Sequence, residues 1–148
     1  MRITRIIFVV LLGSLICFSP AYAIAQSSAV NICKKNDFMA FFKSYAESPG
    51  QKQFEYVKFP VKVVGNEGNP LGSMQMNDFS GKVIWSAKEV QAMNRKAKTT
   101  FSYHIRKRGT NYIAMWAEEN SSYVEAFLFK WENKCWKLIE RHVNDTGI

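Results

Sequence analysis

Only a few side chains in this sequence have the type and spacing that chemistry needs. The histidines are His104 and His142, and the cysteines are Cys17, Cys33 and Cys135. A zinc site needs three or four ligands in patterns such as HExxH or paired CxxC, and the sequence has neither. Gly65 to Gly72 lacks the Lys-Ser/Thr of a phosphate loop, and there is no GxSxG elbow or Ser/His/Asp pattern. No metal or cofactor is therefore expected. One carboxylate stands apart. Glu125 alternates with Tyr123, Phe127, Phe129 and Trp131, which share one face of a strand. A carboxylate among aromatics can serve as a base in a pocket. The same pattern also fits an outer face, with Glu125 solvated or paired to a cation on the neighbouring strand. Glu125, Phe127 and Trp131 are thus candidate pocket residues, and no residue is given a catalytic role.

A second group of residues could recognise rather than react. Arg106, Lys107 and Arg108 crowd three cations ahead of Gly109, with Arg95, Lys96 and Lys98 upstream. Tyr112 and Trp116 share a face of the next strand, with Ala114 between them. Cations beside aromatics are the usual content of a protein-binding hot spot. Arg106, Lys107, Arg108, Tyr112 and Trp116 are therefore candidate partner-binding residues. Ile113 and Met115 load the opposite face of that strand, which fits a central strand buried on both sides and weighs against an exposed Trp116.

These residues need elements to hold them. Thr99–Ile105, Asn111–Ala117, Tyr123–Trp131 and Cys135–His142 are β-branched and aromatic runs between short polar turns, the pattern of a β-meander. Upstream, Phe38, Phe41, Phe42 and Tyr45 recur at helical spacing. They predict a helix from about Asp37 with an aromatic core face, capped by Asn36 or Asp37. Ser48-Pro-Gly50 breaks it; a short helix follows with Pro49 at its first position, and Phe59-Pro60 ends that one. Val61–Val64 reads as a strand and Gly65 to Gly72 as a loop. Ser73 to Ser80 is ambiguous, and a hairpin arm into Lys82–Trp85 is one reading. Ser86-Ala-Lys-Glu89 is a capping box that opens a third helix through about Met93. Helices followed by a meander predict an α+β fold, N-terminal helices packed on a curved antiparallel sheet.

Residues 1–25 are expected to stand outside this domain. Arg2 and Arg5 open them, Ile6 to Phe18 is apolar but short for a bilayer span, and Ala23 or Ala25 ends a small-x-small cleavage pattern. That is a signal peptide. Residues 26–148 then make one domain with no second span of membrane length, expected in the periplasm. Without the leader the chain keeps 18 Lys and Arg against 12 Asp and Glu, a net charge of +6. Such an excess suits an acidic protein surface, an anionic ligand or the membrane face. Nucleic acid is not an expected partner, because the chain is exported and shows no recognition-helix pattern. Cys17 leaves with the leader. The remaining pair, Cys33 and Cys135, predicts one disulfide that closes a loop of about 100 residues.

Three stretches, Phe41-Phe42-x-x-Tyr45, Gln53-Phe54-x-x-Val57-x-Phe59-Pro60-Val61 and Phe129-x-Trp131 with Trp136-x-Leu138, carry a resemblance. Together they resemble small exported bacterial domains of the nuclear transport factor two-like (cystatin-like) superfamily, over most of the chain after the leader. The resemblance implies a cone-shaped roll whose sheet wraps a long helix and leaves a pocket at its open end. Members include isomerases, dehydratases and partner-binding modules, so the fold selects no activity. The reading is a non-catalytic periplasmic binding protein, most concretely a protein-partner or inhibitor module of the immunity type. The alternative is a small-molecule pocket protein with isomerase-like activity at Glu125. The first expects a filled cone, and the second an apolar cavity at its open end. The oligomeric state is left open.

Overall fold

The computed structural model describes residues 32–119 and 124–143. The expected leader and Tyr123 lie outside the described residues. Three helices, α1 (Phe38–Glu47), α2 (Gly50–Gln53) and α3 (Ala87–Ala97), accompany six strands. The strands are β1 (Val57–Val64), β2 (Pro70–Met74), β3 (Phe101–Arg108), β4 (Asn111–Glu118), β5 (Val124–Glu132) and β6 (Cys135–Val143). The fold is α+β, as the sequence predicts. The strands form one open, curved sheet in the order β2-β1-β6-β5-β4-β3. The meander supplies β3 to β6, each antiparallel to the next. Asn133 and Lys134 both take positive φ between β5 and β6, the backbone that matches strand twist in a two-residue hairpin. The sheet is mixed rather than wholly antiparallel: β1 runs parallel to β6 and antiparallel to β2.

The aromatic stripe builds the core. Asp37 caps α1, its Oδ1 accepting the Ala40 N–H at 2.9 Å. Phe38, Phe41, Phe42 and Tyr45 are buried, and all four point at Phe129 of β5. Its ring lies edge-on to them at centroid distances of 5.5, 6.0, 6.0 and 5.6 Å. Each such pair adds about 0.5–1.5 kcal/mol beyond the burial itself. A second cluster, Ile113, Met115 and Ala126 with Val124 and Leu128, occupies the opposite face of the sheet.

The middle of the chain departs from the sequence reading. Strand β1 begins at Val57 and runs through Pro60. Pairing with β6 is interrupted between Val57 and Lys62, and pairing with β2 begins at Val61, so the missing Pro60 N–H removes no ladder bond. The ambiguous stretch divides: β2 ends at Met74, opposite Val61, and Met76–Asp78 is a 3₁₀ turn. Lys82–Trp85 is not a hairpin arm. The buried Gln53 side chain holds its backbone instead. Gln53 Oε1 accepts the Val83 and Ile84 N–H groups at 2.9 and 3.0 Å, and Nε2 donates to the Ile84 and Tyr45 carbonyls at 2.8 and 3.0 Å. Val83 and Ile84 thereby enter the core without a strand partner. Helix α3 opens on the predicted capping box and runs on to Ala97. Asn94 then brackets Phe101, accepting its N–H at 2.8 Å and donating to its carbonyl at 2.9 Å. Among the described residues, no helix is long and apolar enough to cross a membrane.

Candidate functional site

Glu125 is the first candidate to place. It lies on the core face of β5, across from Trp116, and is 6% exposed. Arg141 of β6 meets it through two guanidinium nitrogens that both reach Oε1. Nη1 of the same arginine contacts Met74 Sδ at 3.1 Å. Glu125, Phe127 and Arg141 line a cavity of about 90 Å3 together with Asp78, Lys82 and Trp85. Small-molecule sites usually hold about 300–1,000 Å3. Each reading of Glu125 holds in part: it lies on the inner face rather than an outer one and lines a cavity with Phe127, and it is paired to a cation on the neighbouring strand. Two phenols pack in the core, Tyr45 fully buried and Tyr103 half-buried. Burial pushes the Tyr45 hydroxyl well above the usual phenol range, with Tyr103 adding to the shift, and Tyr45 Oη has no hydrogen-bond partner. Burial does the same to Tyr103, whose hydroxyl accepts the Trp85 N–H at 3.4 Å. Both stay protonated at neutral pH, and neither lines the cavity.

A larger concavity forms at the other end of the same sheet face. Three segments far apart in sequence converge there, namely the turn before α1, the β3–β4 hairpin and the β5–β6 hairpin. They enclose a groove of about 460 Å3. Its floor is aromatic. Tyr112 stacks on Phe38 at 4.2 Å, and Trp136 takes Tyr112 and Trp131 edge-on at 5.2 and 5.4 Å. Its wall is tied to that floor twice. Trp136 Nε1 donates to the Lys34 carbonyl at 3.2 Å. The disulfide between Cys33 and Cys135, with Cα atoms 4.7 Å apart, joins the same two segments covalently. Lys35 and Asn36 are thereby held beside Trp136.

The groove is electrostatically one-sided. Lys35, Lys107 and Lys130 line it, and no carboxylate does. Lys130 reaches Glu132 at 3.2 Å. Lys58 and then Lys130 hold the Glu132 carboxyl below the usual carboxylate range, so it stays ionised. Among the described residues, Lys35 and Lys107 have no acid at ion-pair distance. Asn111, also in the lining, has a buried Oδ1 with no hydrogen-bond partner.

The structure regroups the residues singled out in the sequence. Lys107 and Tyr112 of the partner set meet Trp131 of the pocket set in the groove, while Glu125 and Phe127 line the small cavity. Arg106 and Arg108 alternate with Lys107 along β3 and so belong to its other face, where both are exposed. Trp116 needs a correction, because it is 6% exposed and offers a partner no surface. Pairing of β3 with β4 lays Phe101 and Tyr103 against its ring at 4.9 and 4.7 Å. Lys35, Asn36, Asn111, Lys130 and Trp136 were missed. The expected Cys33–Cys135 bond was the available signal, since it places Lys35 near Trp136 before any fold is known. Among the described residues, no group of three or more His, Cys, Asp and Glu side chains could hold a metal ion.

No family model matches this chain, and no curated protein matches it. Among solved structures, an NTF2-like protein from Cytophaga hutchinsonii is similar over 73% of this chain and 88% of its own length, at 10% identity and a TM-score of 0.32.

Proposed function

We propose that this protein is a non-catalytic binding protein of the bacterial envelope that engages a protein partner through the groove, most concretely as an inhibitor of the immunity type. The groove itself carries the proposal. It sets three lysines around the rings of Tyr112 and Trp131, with the buried Trp136 supporting them from beneath, on a floor fixed by the sheet and α1. Rigid aromatics ringed by polar groups are where binding energy concentrates at protein interfaces. The envelope location rests on the leader read in residues 1–25 and on the disulfide, a bond that persists in oxidising compartments. Isomerase-like chemistry would have to work from the cavity of about 90 Å3, with its carboxylate already engaged by Arg141.

The test is capture of partners by the exported, oxidised protein from periplasmic extract, run beside a Lys35→Glu/Lys107→Glu variant. One stoichiometric protein that binds the wild type and is lost from the variant is the expected result. A partner retained equally by both, or the absence of any protein partner, would overturn the proposal.

A further inference from the structure

We infer that the segment this groove receives is an acidic, extended peptide with a flat apolar side chain between its carboxylates; the inference rests on the groove being the recognition site. Three features of the lining lead to it. Lys35 and Lys107 present positive charge with no acid at ion-pair distance among the described residues, and Lys130, engaged by Glu132, adds a third cation to the lining, so an occupant that brings negative charge is favoured. The cations are lysines, compact charges on flexible stems, which can follow carboxylates at varied positions along a chain. Planar bidentate recognition of phosphate favours arginine. The floor between them is the ring surface of Tyr112 and Trp131, which an aromatic or other flat apolar group covers with little loss of side-chain freedom.

The third feature separates a peptide from other anions. Asn111 is half-buried in the lining and its Oδ1, shielded from solvent, lacks a donor; a turn of the amide about its last side-chain bond would present that acceptor to an occupant, and pairing it would recover free energy. Phosphodiester and ionised carboxylate groups bring acceptors alone. A peptide backbone brings one N–H per residue, spaced along the same extended chain that carries its acidic side chains.

The experiment uses a fluorescein-labelled peptide of alternating glutamate and tryptophan, and its counterpart with glutamine replacing glutamate. Both are titrated with the oxidised, exported protein by fluorescence anisotropy. The acidic peptide is expected to bind about tenfold more tightly than its counterpart at low salt, with the difference shrinking as salt rises. The Lys35→Glu/Lys107→Glu variant, whose substitutions are at exposed positions, should lose that preference with an unchanged melting temperature. Asn111→Ala should weaken both peptides, because it removes a backbone contact rather than a charge contact. Equal binding of the two peptides overturns the inference, as does a preference that survives the double substitution. So does tighter binding of phosphatidylglycerol vesicles or of an oligonucleotide through the same lysines. If the peptides are not distinguished but the double variant still loses its captured protein, the partner's chemistry is wrong and the binding function stands. If capture also survives, both readings fall.

Discussion

Replacing Gln53 with leucine should unfasten the loop that closes the core over Glu125. Gln53 has no exposed surface, and leucine is of similar size, so the change removes hydrogen bonds while leaving little void. The Val83 N–H, the Ile84 N–H and the Ile84 carbonyl each lose the partner that Gln53 supplies. The Tyr45 carbonyl keeps the Ser48 N–H at 3.2 Å and is not orphaned. Each orphaned buried group costs about 1–3 kcal/mol, and burying the leucine side chain returns about 1.5–3 kcal/mol. Taken at mid-range, the net loss should be about 4 kcal/mol. Urea unfolding followed by far-UV circular dichroism measures it, with an unchanged slope showing that the change lies in stability rather than compactness. A loss below about 1 kcal/mol would refute the reasoning, because the loop backbone would then be held by something other than this side chain.

Four further outcomes are expected. Phe41→Ala should cost about 3–5 kcal/mol, since Phe41 is fully buried against Tyr45, Tyr56 and Phe129; a cost below about 1 would contradict its core position. Reducing the Cys33–Cys135 bond should cost about 2–5 kcal/mol and lower the melting temperature by several degrees, and an unmoved transition would dismiss the bond. Arg141→Met should cost about 3–5 kcal/mol by leaving Glu125 buried without its cation, and adding Glu125→Gln should recover part of that; strict additivity in the double-mutant cycle would show no coupling. For the fourth, Lys82 and then Ser86 hold the Glu89 carboxyl at about 2, below its ordinary 4.5. The folded value is the lower one, so its stabilisation is complete above about pH 4.5 and is lost as pH falls through about 2. The melting temperature should fall across that window, less steeply in Glu89→Gln; identical acid slopes would remove this carboxylate from the account.

Local pattern was enough wherever a neighbour in sequence supplies the partner. The α1 stripe, the Ser86 capping box and the four meander strands are repeating or short-range arrangements, and each lies close to where its residues placed it. Pairing across distance was not legible. Nothing in Val57–Val64 declares that it will lie parallel to a strand beginning at Cys135. A stretch as β-prone as Lys82–Trp85 stays out of the sheet because one glutamine about 30 residues away takes its backbone groups. Trp116 illustrates the same limit on the site. Apolar bulk on both faces of its strand hinted at burial, but the overlying Phe101 and Tyr103 come from another strand. The groove was hidden more deeply, since its cations and rings come from three segments and no single segment looks like a site.

The disulfide ties a wall of the groove to its floor, and that gives the site a history. Ribosomes deliver this chain into a reducing compartment, where Cys33 and Cys135 would remain thiols. There the segment carrying Lys35 would rest on the start of α1 and on the contact between Trp136 and the Lys34 carbonyl. Oxidation after transport would lock it in place. On the proposed reading, the groove would take its final form only in the oxidised chain. The same bond that steadies the fold would thus also fix the position of Lys35 in the groove.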